Sequence, residues 1–256
     1  MQDSFYTNLQ YFKKILSLQN AIMIKKIFSK VTCLTVILFL FSQFKVTAQA
    51  SKKEGSVSGW KQLFNGKDLT GWKHAGKGSS EVEDGLIRGH GGMGLLYYTG
   101  GKLSNCTIRV VYKMQKFNSN SGVFIRIPIE PKEEWMPVFY GYEVQIDNHP
   151  ETSDEDDHHI TGTLYSLTKP LAKPGKPGPE WNTMEITLDG PRTIVYVNGE
   201  KVTDYKEGDP TPVRKFDFEP MKGRRPDAGY IGLQNHGEDD VVYFKEIAVK
   251  PLTKNN

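Results

Sequence analysis

From Trp60 onward, this chain consists of short segments rich in Val, Ile, Tyr, Phe and Thr, each ended by Gly, Asn, Asp or Pro. Segments of this length and composition at close spacing are typical of β-sandwiches and barrels. No segment shows a helical period. The sequence therefore predicts an all-β fold. Its clearest strands are predicted over residues 105–114, 122–129, 139–147, 162–167, 183–188, 193–197, 229–235 and 241–249.

Turn and loop signals separate these strands. Asp189-Gly190 and Asn198-Gly199 predict hairpins in which both central residues have positive φ, and Glu83-Asp84-Gly85 predicts another tight turn. Long connections are predicted over residues 130–137, 149–159 and 169–180, the last being rich in Pro and Gly. Loops of this length on a compact β domain are usually functional or disordered.

The first 50 residues have the features of a secretory signal peptide. Lys25-Lys26 precedes the apolar run 31–44, which is followed by Thr47-Ala48-Gln49-Ala50. Met23, just before this basic pair, is an alternative translation start. A membrane anchor is the alternative, but polar residues interrupt a run that is already short of the roughly 20 residues a span needs. We therefore predict a signal peptide over residues 1–50, a flexible tether over 51–58 and a single domain over 59–254.

Charge and cysteine content narrow the function classes. The chain has 33 basic and 30 acidic residues, of which six Lys and one Asp precede residue 51, so the remainder carries a formal charge of −2. This balance gives no argument for nucleic acid as a partner. Only Cys106 remains after cleavage, so no internal disulfide is expected. We expect an exported protein, periplasmic or extracellular, with no membrane insertion after cleavage.

The segment 141–147 alternates strictly between apolar and polar residues. Its apolar row is Tyr142, Val144 and Ile146, and its polar row is Glu143, Gln145 and Asp147. Successive side chains of a strand point to opposite faces, so one row faces a core and the other forms a line of acid, amide and acid. Three such groups in line predict the floor of a binding site, although an ordinary exposed row has the same pattern.

Two further strands pair a core row with a polar or aromatic row. In 122–127 the apolar row is Val123, Ile125 and Ile127, and Phe124 and Arg126 face the other way; in 230–236 Ile231 and Leu233 face the core, and Tyr230, Gln234 and His236 do not. Each pattern alone fits a solvated surface. If these strands neighbour 141–147, they form one polar surface rimmed by aromatic rings.

Seven motifs in order resemble one known family. They are LFNGKDLTGW at 63–72, NSGVFIR at 120–126, GYEVQID at 141–147, TGTLY at 161–165, EWN at 180–182, VNG at 197–199 and GYIGLQ at 229–234. They resemble the 3-keto-disaccharide hydrolase domain family over Trp60 to Leu252. Only Lys245-Glu246 departs, where the family commonly has Arg-Asn. The resemblance implies a concanavalin-like jelly roll of two curved antiparallel sheets that binds a carbohydrate substrate.

The spacing of the two acids disfavours ordinary glycoside hydrolysis. Glu143 and Asp147 are four residues apart, so on a regular strand their Cα atoms lie about 13 Å apart. Retaining hydrolysis needs carboxyl groups about 5–5.5 Å apart, and inverting hydrolysis roughly 6.5–9.5 Å. Glucanase-like hydrolysis of ordinary glycans therefore stays open only if the strand bulges or the side chains lean together.

The family resemblance implies a different route, β-elimination from a 3-keto sugar followed by hydration. It needs a base at C2, a group to stabilise the enolate and a proton donor for the leaving oxygen. Glu143 or a histidine such as His159 is the expected base, and Arg126 is expected to stabilise the enolate. The expected substrate-binding residues are Gln145, Asp147, Phe124, Tyr140, Tyr165, Gln234, His236 and Trp135.

Residues 154–159, DEDDHH, leave the cofactor question open. Carboxylates and imidazoles can bind a divalent metal ion, so Asp157, His158 and His159 are candidate ligands, and no other cofactor is expected. A solvated acidic loop is the alternative. A non-catalytic carbohydrate-binding module and a surface adhesion domain also remain open as functions, and the oligomeric state is not determined by the sequence.

Overall fold

The computed structural model of this protein describes residues 59–149 and 157–253. The strands in chain order are β1 (Lys61–Gln62), β2 (Trp72–Gly76), β3 (Ser79–Glu83), β4 (Leu86–His90), β5 (Gly94–Tyr98), β6 (Cys106–Met114), β7 (Ser121–Ile127), β8 (Tyr142–Ile146), β9 (Asn182–Asp189), β10 (Arg192–Val197), β11 (Glu200–Lys206), β12 (Tyr230–Asn235) and β13 (Val242–Pro251). One short helix, α1 (Met136–Tyr140), lies between β7 and β8. The predicted signal peptide and tether fall outside the described residues.

The described strands form two antiparallel sheets. The larger sheet has eight strands, in the order β11-β10-β9-β6-β13-β4-β3 with β1 paired to β13. The smaller sheet has five, in the order β2-β5-β12-β7-β8. This arrangement confirms the predicted all-β sandwich. Within the described residues, no helix is long and apolar enough to cross a membrane.

The core lies between the sheets and consists of the inward rows of their strands. The smaller sheet contributes Val123, Ile125, Val144, Ile146 and Leu233, all of which are buried in one cluster with Val, Ile and Leu residues of β6, β9 and β13. Because side chains alternate along a strand, burying these rows leaves the alternate residues of β7, β8 and β12 on the outer face of the smaller sheet. This outer face positions the candidate site.

Three local predictions differ from the structure. The predicted strand 139–147 is divided between α1 and β8, because Pro137 fits the first turn of a helix too short to show a period. Residues 162–167 pair with β8 through only a few backbone hydrogen bonds and form no named strand. In the β9–β10 hairpin, Asp189 pairs with Arg192, so the turn residues are Gly190 and Pro191.

Candidate active site

Strand β8 carries the polar row that the sequence predicts. Tyr142, Val144 and Ile146 lie in the core, whereas Glu143 and Gln145 point to the outer face of the smaller sheet. Both polar side chains are nonetheless buried, with Glu143 only 5% exposed. The outer face around β8 is therefore a sheltered polar surface and differs from an ordinary solvated face.

Strands β7 and β12 lie beside β8, as the composite surface requires. On β7, Phe124 pairs with Glu143 and Gly122 pairs with Gln145; on β12, Gly232 pairs with Phe124. A Cβ atom at Gly122 would lie 2.4 Å from Oε1 of Glu143. The missing side chain of Gly122 therefore makes the space in which the Glu143 carboxyl group lies.

The carboxyl group of Glu143 is protonated at neutral pH. Burial raises the pKa of Glu143 to about 8, because an ionised carboxylate loses its hydration there. The positive charge of His236 and a hydrogen bond from Gln234 act in the opposite direction and are outweighed. Glu143 can consequently donate a proton near pH 7, as a general acid does.

Two amide oxygen atoms on this face have no hydrogen-bond partner within the described structure. They are Oε1 of Gln145 and Oε1 of Gln234, and both are buried. The Gln145 amide nitrogen donates to Oδ1 of Asn120 at 3.4 Å. Because an unpaired buried acceptor costs about 1–3 kcal/mol, each of these two oxygen atoms needs a donor from water or from a ligand.

His236 and Asp240 form an ion pair at the end of β12. Nδ1 of His236 lies 3.0 Å from Oδ2 of Asp240, and the carboxylate also accepts the backbone N–H groups of Gly237 and Asn120, each at 2.8 Å. Burial acts to lower the pKa of His236. The hydrogen bond and charge of Asp240, with the charges of Glu143 and Asp147, outweigh it and raise the pKa above its ordinary value.

The prediction that Arg126 shares a face with Glu143 is wrong. Arg126 has a positive φ of 54° where the pairing of β7 with β12 shifts register, so a β-bulge turns its side chain away. The guanidinium is fully buried, and its N–H groups donate to Oγ1 of Thr193 and the carbonyls of Pro226, Asp227, Gly190 and Arg192. All five donors are thereby used, which leaves none for an enolate.

The prediction that Phe124 stacks on a sugar is also contradicted. Its ring is fully buried in a second apolar cluster with Leu95, Tyr97, Met136 and Val138, beneath α1. The ring forms an apolar wall beside Glu143. Trp135 and Tyr140, at the two ends of α1, are 40% and 51% exposed and remain available for a sugar.

Residues 161–165 line the free edge of β8. The N–H of Tyr165 donates to the carbonyl of Glu143 at 2.9 Å, and Leu164 pairs with Val144 on the core side. Tyr165 therefore takes the side of the sheet occupied by Glu143. The ring of His159 stacks on Tyr165 at 4.6 Å, and its Nε2 lies 3.0 Å from Oγ of Ser166. His159 and Tyr165 thus form one wall beside the polar row.

The structure describes the candidate metal ligands Asp157, His158 and His159, but only part of the acidic loop that carries them. Asp157 forms a 2.7 Å ion pair with Lys173, and His158 and His159 are mostly buried. Among residues 59–149 and 157–253, no group of three or more His, Cys, Asp or Glu side chains could hold a metal ion. Residues 154–156 lie outside the described part, so the metal site stays a prediction.

Asp147 lies beyond the end of β8. Its carboxylate accepts the backbone N–H of His149 at 2.8 Å. The pairing of β7 with β8 is regular from Ser121 to Ile125, so no bulge shortens the strand between Glu143 and Ile146. The Cα atoms of Glu143 and Asp147, four residues apart, are thus separated by roughly the 13 Å expected of a regular strand, too far for the two carboxyls to act as a glycosidase pair.

Two cavities of the described surface lie away from the polar row of β8. Their lining includes Tyr142, Tyr205, Glu207, Arg214 and Lys222. None of the unpartnered buried polar atoms of the described residues belongs to that lining. The unpaired buried atoms therefore favour the outer face of the smaller sheet, where Glu143, Gln145 and Gln234 lie.

Sequence reasoning missed Gly122, Asn120 and Asp240 as site residues. The first two stand inside the NSGVFIR motif, which is a usable signal. Asp240 had none, because only the folded chain brings it next to both His236 and Asn120.

The two-sheet all-β sandwich carries a buried acid and two unpaired amide oxygens on one sheet, and the similarities that follow define its class as carbohydrate-active protein. Residues 59–250 match the 3-keto-alpha-glucoside-1,2-lyase-like domain family, so the chain belongs to that family. No match to a curated protein was found.

Two solved structures are similar to this chain. A protein from Parabacteroides distasonis named a "putative glycosyl hydrolase" is 28% identical, with a TM-score of 0.63, and the match covers 79% of this chain and 98% of that one. A Bacillus subtilis protein of unknown function with a galectin-like fold is 10% identical, with a TM-score of 0.54, over 75% of this chain and 94% of that one. The second likeness concerns the fold alone.

Proposed function

We propose that this protein is an enzyme that cleaves 3-keto-glycosides, including 3-keto-disaccharides, by β-elimination followed by hydration. The observation that carries the proposal is the buried Glu143 carboxyl, whose pKa of about 8 keeps it protonated, in electrostatic contact with the His236–Asp240 pair. A proton donor and a proton acceptor on the same face supply two of the three groups that an elimination needs, and the imidazolium that forms when His236 takes the proton supplies positive charge near the enolate.

The keto group makes the elimination possible. A carbonyl at C3 acidifies the proton at C2, so a base of moderate strength can remove it. The electron pair forms the C1–C2 double bond as the C1–O bond to the leaving group breaks. An ordinary glycoside lacks this acidified proton, so we expect that this site does not cleave it.

Each proton in the proposed reaction has a donor and an acceptor. Neutral His236 removes the C2 proton through Nε2, because Nδ1 is held by Asp240. Protonated Glu143 gives its proton to the leaving oxygen. In the hydration step the Glu143 carboxylate takes a proton from the water that adds at C1, and His236 returns its proton to C2. The overall result is hydrolysis of the glycosidic bond.

The unpaired amide oxygens account for substrate binding in this proposal. Oε1 of Gln145 and Oε1 of Gln234 can each accept a hydrogen bond from a sugar hydroxyl group. The register places their side chains on either side of Gly122, so they can hold two hydroxyls of one ring. Trp135, Tyr140 and Tyr165 are the aromatic side chains that we propose contact its faces.

A metal ion is a separate proposal. If Asp157, His158 and His159 bind a divalent cation with residues of the acidic loop, that cation would stabilise enolate charge as a Lewis acid. Exhaustive EDTA treatment followed by assay tests this point. A rate restored only by added metal supports it, and full activity after chelation contradicts it without affecting the roles of Glu143 and His236.

Export is proposed on the leader alone. Cell fractionation of a host that expresses the full chain, with the mature N-terminus sequenced, tests it. Recovery in the periplasm or medium with cleavage after Ala50 is the expected result, and an intact cytoplasmic chain contradicts it.

The proposed function is tested with matched disaccharides. We expect release of the C1 substituent from a 3-keto-disaccharide and none from its ordinary counterpart. The Glu143→Gln variant should reduce kcat by about 100-fold or more, within the range for loss of general acid catalysis. Glu200→Gln, at the exposed β10–β11 hairpin, is the matched control and should keep the native rate.

Two results would redirect the assignment. Cleavage of both disaccharides at similar rates indicates ordinary glycan hydrolysis. Binding of sugar with no product from either one indicates a carbohydrate-binding module.

A further inference from the structure

The outer face of the smaller sheet is closed at one end. Met136 and Val138 of α1 pack over Phe124 and Ile127, and none of these four side chains is more than 8% exposed. A sugar ring whose hydroxyls meet Gln145 and Gln234 therefore has an apolar wall on the α1 side. The remainder of a glycoside has to extend toward the other end of the face.

At that other end lies an aromatic pair. The rings of Phe117 and His149 are 4.4 Å apart, and Phe117 is 54% exposed. Phe117 belongs to the connection from β6 to β7, and His149 lies three residues after the last residue of β8. The pair therefore spans the end of the polar row, between the entry of β7 and the exit of β8.

Hydrogen bonds hold both halves of this pair in place. The turn that carries Phe117 is closed by the N–H of Ser119 donating to the carbonyl of Lys116 at 3.3 Å, and the N–H of His149 donates to Oδ1 of Asp147 at 2.8 Å. Next to His149, Nδ2 of Asn148 donates to the carbonyl of Lys176 at 2.8 Å. These bonds fix the backbone at both positions, and the ring of His149 packs against the ring of Phe117, so the pair forms a pre-formed platform.

The platform is joined to the proposed site by polar contacts. Asn120, three residues after Phe117, accepts from Gln145 through its side chain and donates its backbone N–H to Asp240. Asp240 in turn holds His236. Asn120 consequently links the turn that carries Phe117 to Gln145, the residue proposed to bind the first sugar.

We propose that Phe117 and His149 form the subsite for the leaving group, and that this group is a second sugar. This inference rests on the proposed function and adds to it the direction of the substrate and the preferred leaving group. The apolar face of a pyranose stacks on an aromatic ring, and a methyl group is too small to use such a platform.

The test compares the rates of cleavage of two substrates in the native protein and in three variants. The ratio of kcat/KM for a 3-keto-disaccharide to kcat/KM for the methyl 3-keto-glycoside should fall about tenfold in Phe117→Ala, the scale of one aromatic contact. Phe117→Tyr keeps the ring and should restore the native ratio. Phe216→Ala removes a similarly exposed ring from the 213–221 loop, which contacts α1 at the closed end of the face through Met221, and should leave the ratio unchanged.

An unchanged ratio in Phe117→Ala overturns the inference, including the case in which kcat/KM falls equally for both substrates. If the native protein cleaves neither substrate, the proposed function fails, and the subsite is tested by calorimetry with ordinary disaccharide and methyl glycoside. In that measurement, the Phe117→Ala substitution should weaken binding of the disaccharide about tenfold more than binding of the methyl glycoside. Equal affinities in the native protein and in Phe117→Ala overturn the subsite.

Discussion

At the residue scale, the properties of Glu143 depend on what is missing beside it. Gly122 has no side chain, so the carboxyl group folds over β7, and Phe124 next to it is buried beneath α1. The same position that shelters the acid from water raises its pKa. Neither property can be ascribed to Glu143 alone.

The Gly122→Ala substitution should separate catalysis from stability. The added methyl would lie 2.4 Å from Oε1 and 2.6 Å from Cγ of Glu143, so the whole side chain of Glu143 has to turn away while the strand stays paired. We expect kcat to fall at least tenfold, because small displacements of a catalytic group are costly. The midpoint of thermal unfolding should change little. Native kcat in this variant would contradict the placement of the acid.

The two titrating groups predict a bell-shaped pH dependence of kcat/KM. As pH rises through the raised pKa of His236, the imidazole loses its proton and becomes a base, so the rate rises. As pH passes about 8, Glu143 loses the proton it must donate, so the rate falls. Activity should therefore be greatest between these two values.

The Asp240→Asn substitution tests whether His236 is responsible for the acidic limb of this pH profile. Removing the negative charge lowers the pKa of His236, so the acidic limb should move to lower pH while the alkaline limb stays near 8. Profiles of the native protein and the variant that coincide on the acidic side would contradict the role of His236 as base.

At the element scale, the β-bulge in β7 decides which residues reach the site. Without it, Arg126 would alternate onto the outer face with Phe124; with it, the guanidinium binds carbonyls of the β9–β10 hairpin in the other sheet. Arg126 is consequently a brace between the two sheets. The positive charge expected beside Glu143 is supplied by His236 when that residue is protonated.

The Arg126→Ala variant should lose stability rather than chemistry. It leaves several buried acceptors unpaired, so we expect the free energy of unfolding to fall by about 3 kcal/mol or more in denaturant titrations. Arg192→Ala, which removes only an exposed ion pair with Asp204, should cost less than about 1 kcal/mol. A variant at Arg126 with native stability and no turnover would restore its catalytic assignment.

The elements differ in how far the sequence could predict them. The alternation in β8 was sufficient, because a period of two specifies the face of each side chain. Arg126 could not be placed correctly, since a bulge depends on the register between β7 and β12 and leaves no mark in the local pattern. Helix α1 was missed for a different reason, because five residues are too few to show a helical period.

At the scale of the whole molecule, the two sheets have different roles. The larger sheet provides most of the core, and the outer face of the smaller sheet holds the acid, the imidazole and the unpaired amides. The motifs identify the family, but the meeting of Glu143, His236 and Asp240 requires the strand order β12-β7-β8. No single segment contains that arrangement.

The most direct test of the central claim is a kinetic isotope effect on cleavage of a 3-keto-disaccharide deuterated at C2. Elimination breaks the C2–H bond, so we predict a normal primary effect on kcat/KM that becomes larger when the base is weakened in Asp240→Asn. Direct displacement at C1 leaves that bond intact. Turnover with no primary isotope effect in either protein would contradict the proposed elimination.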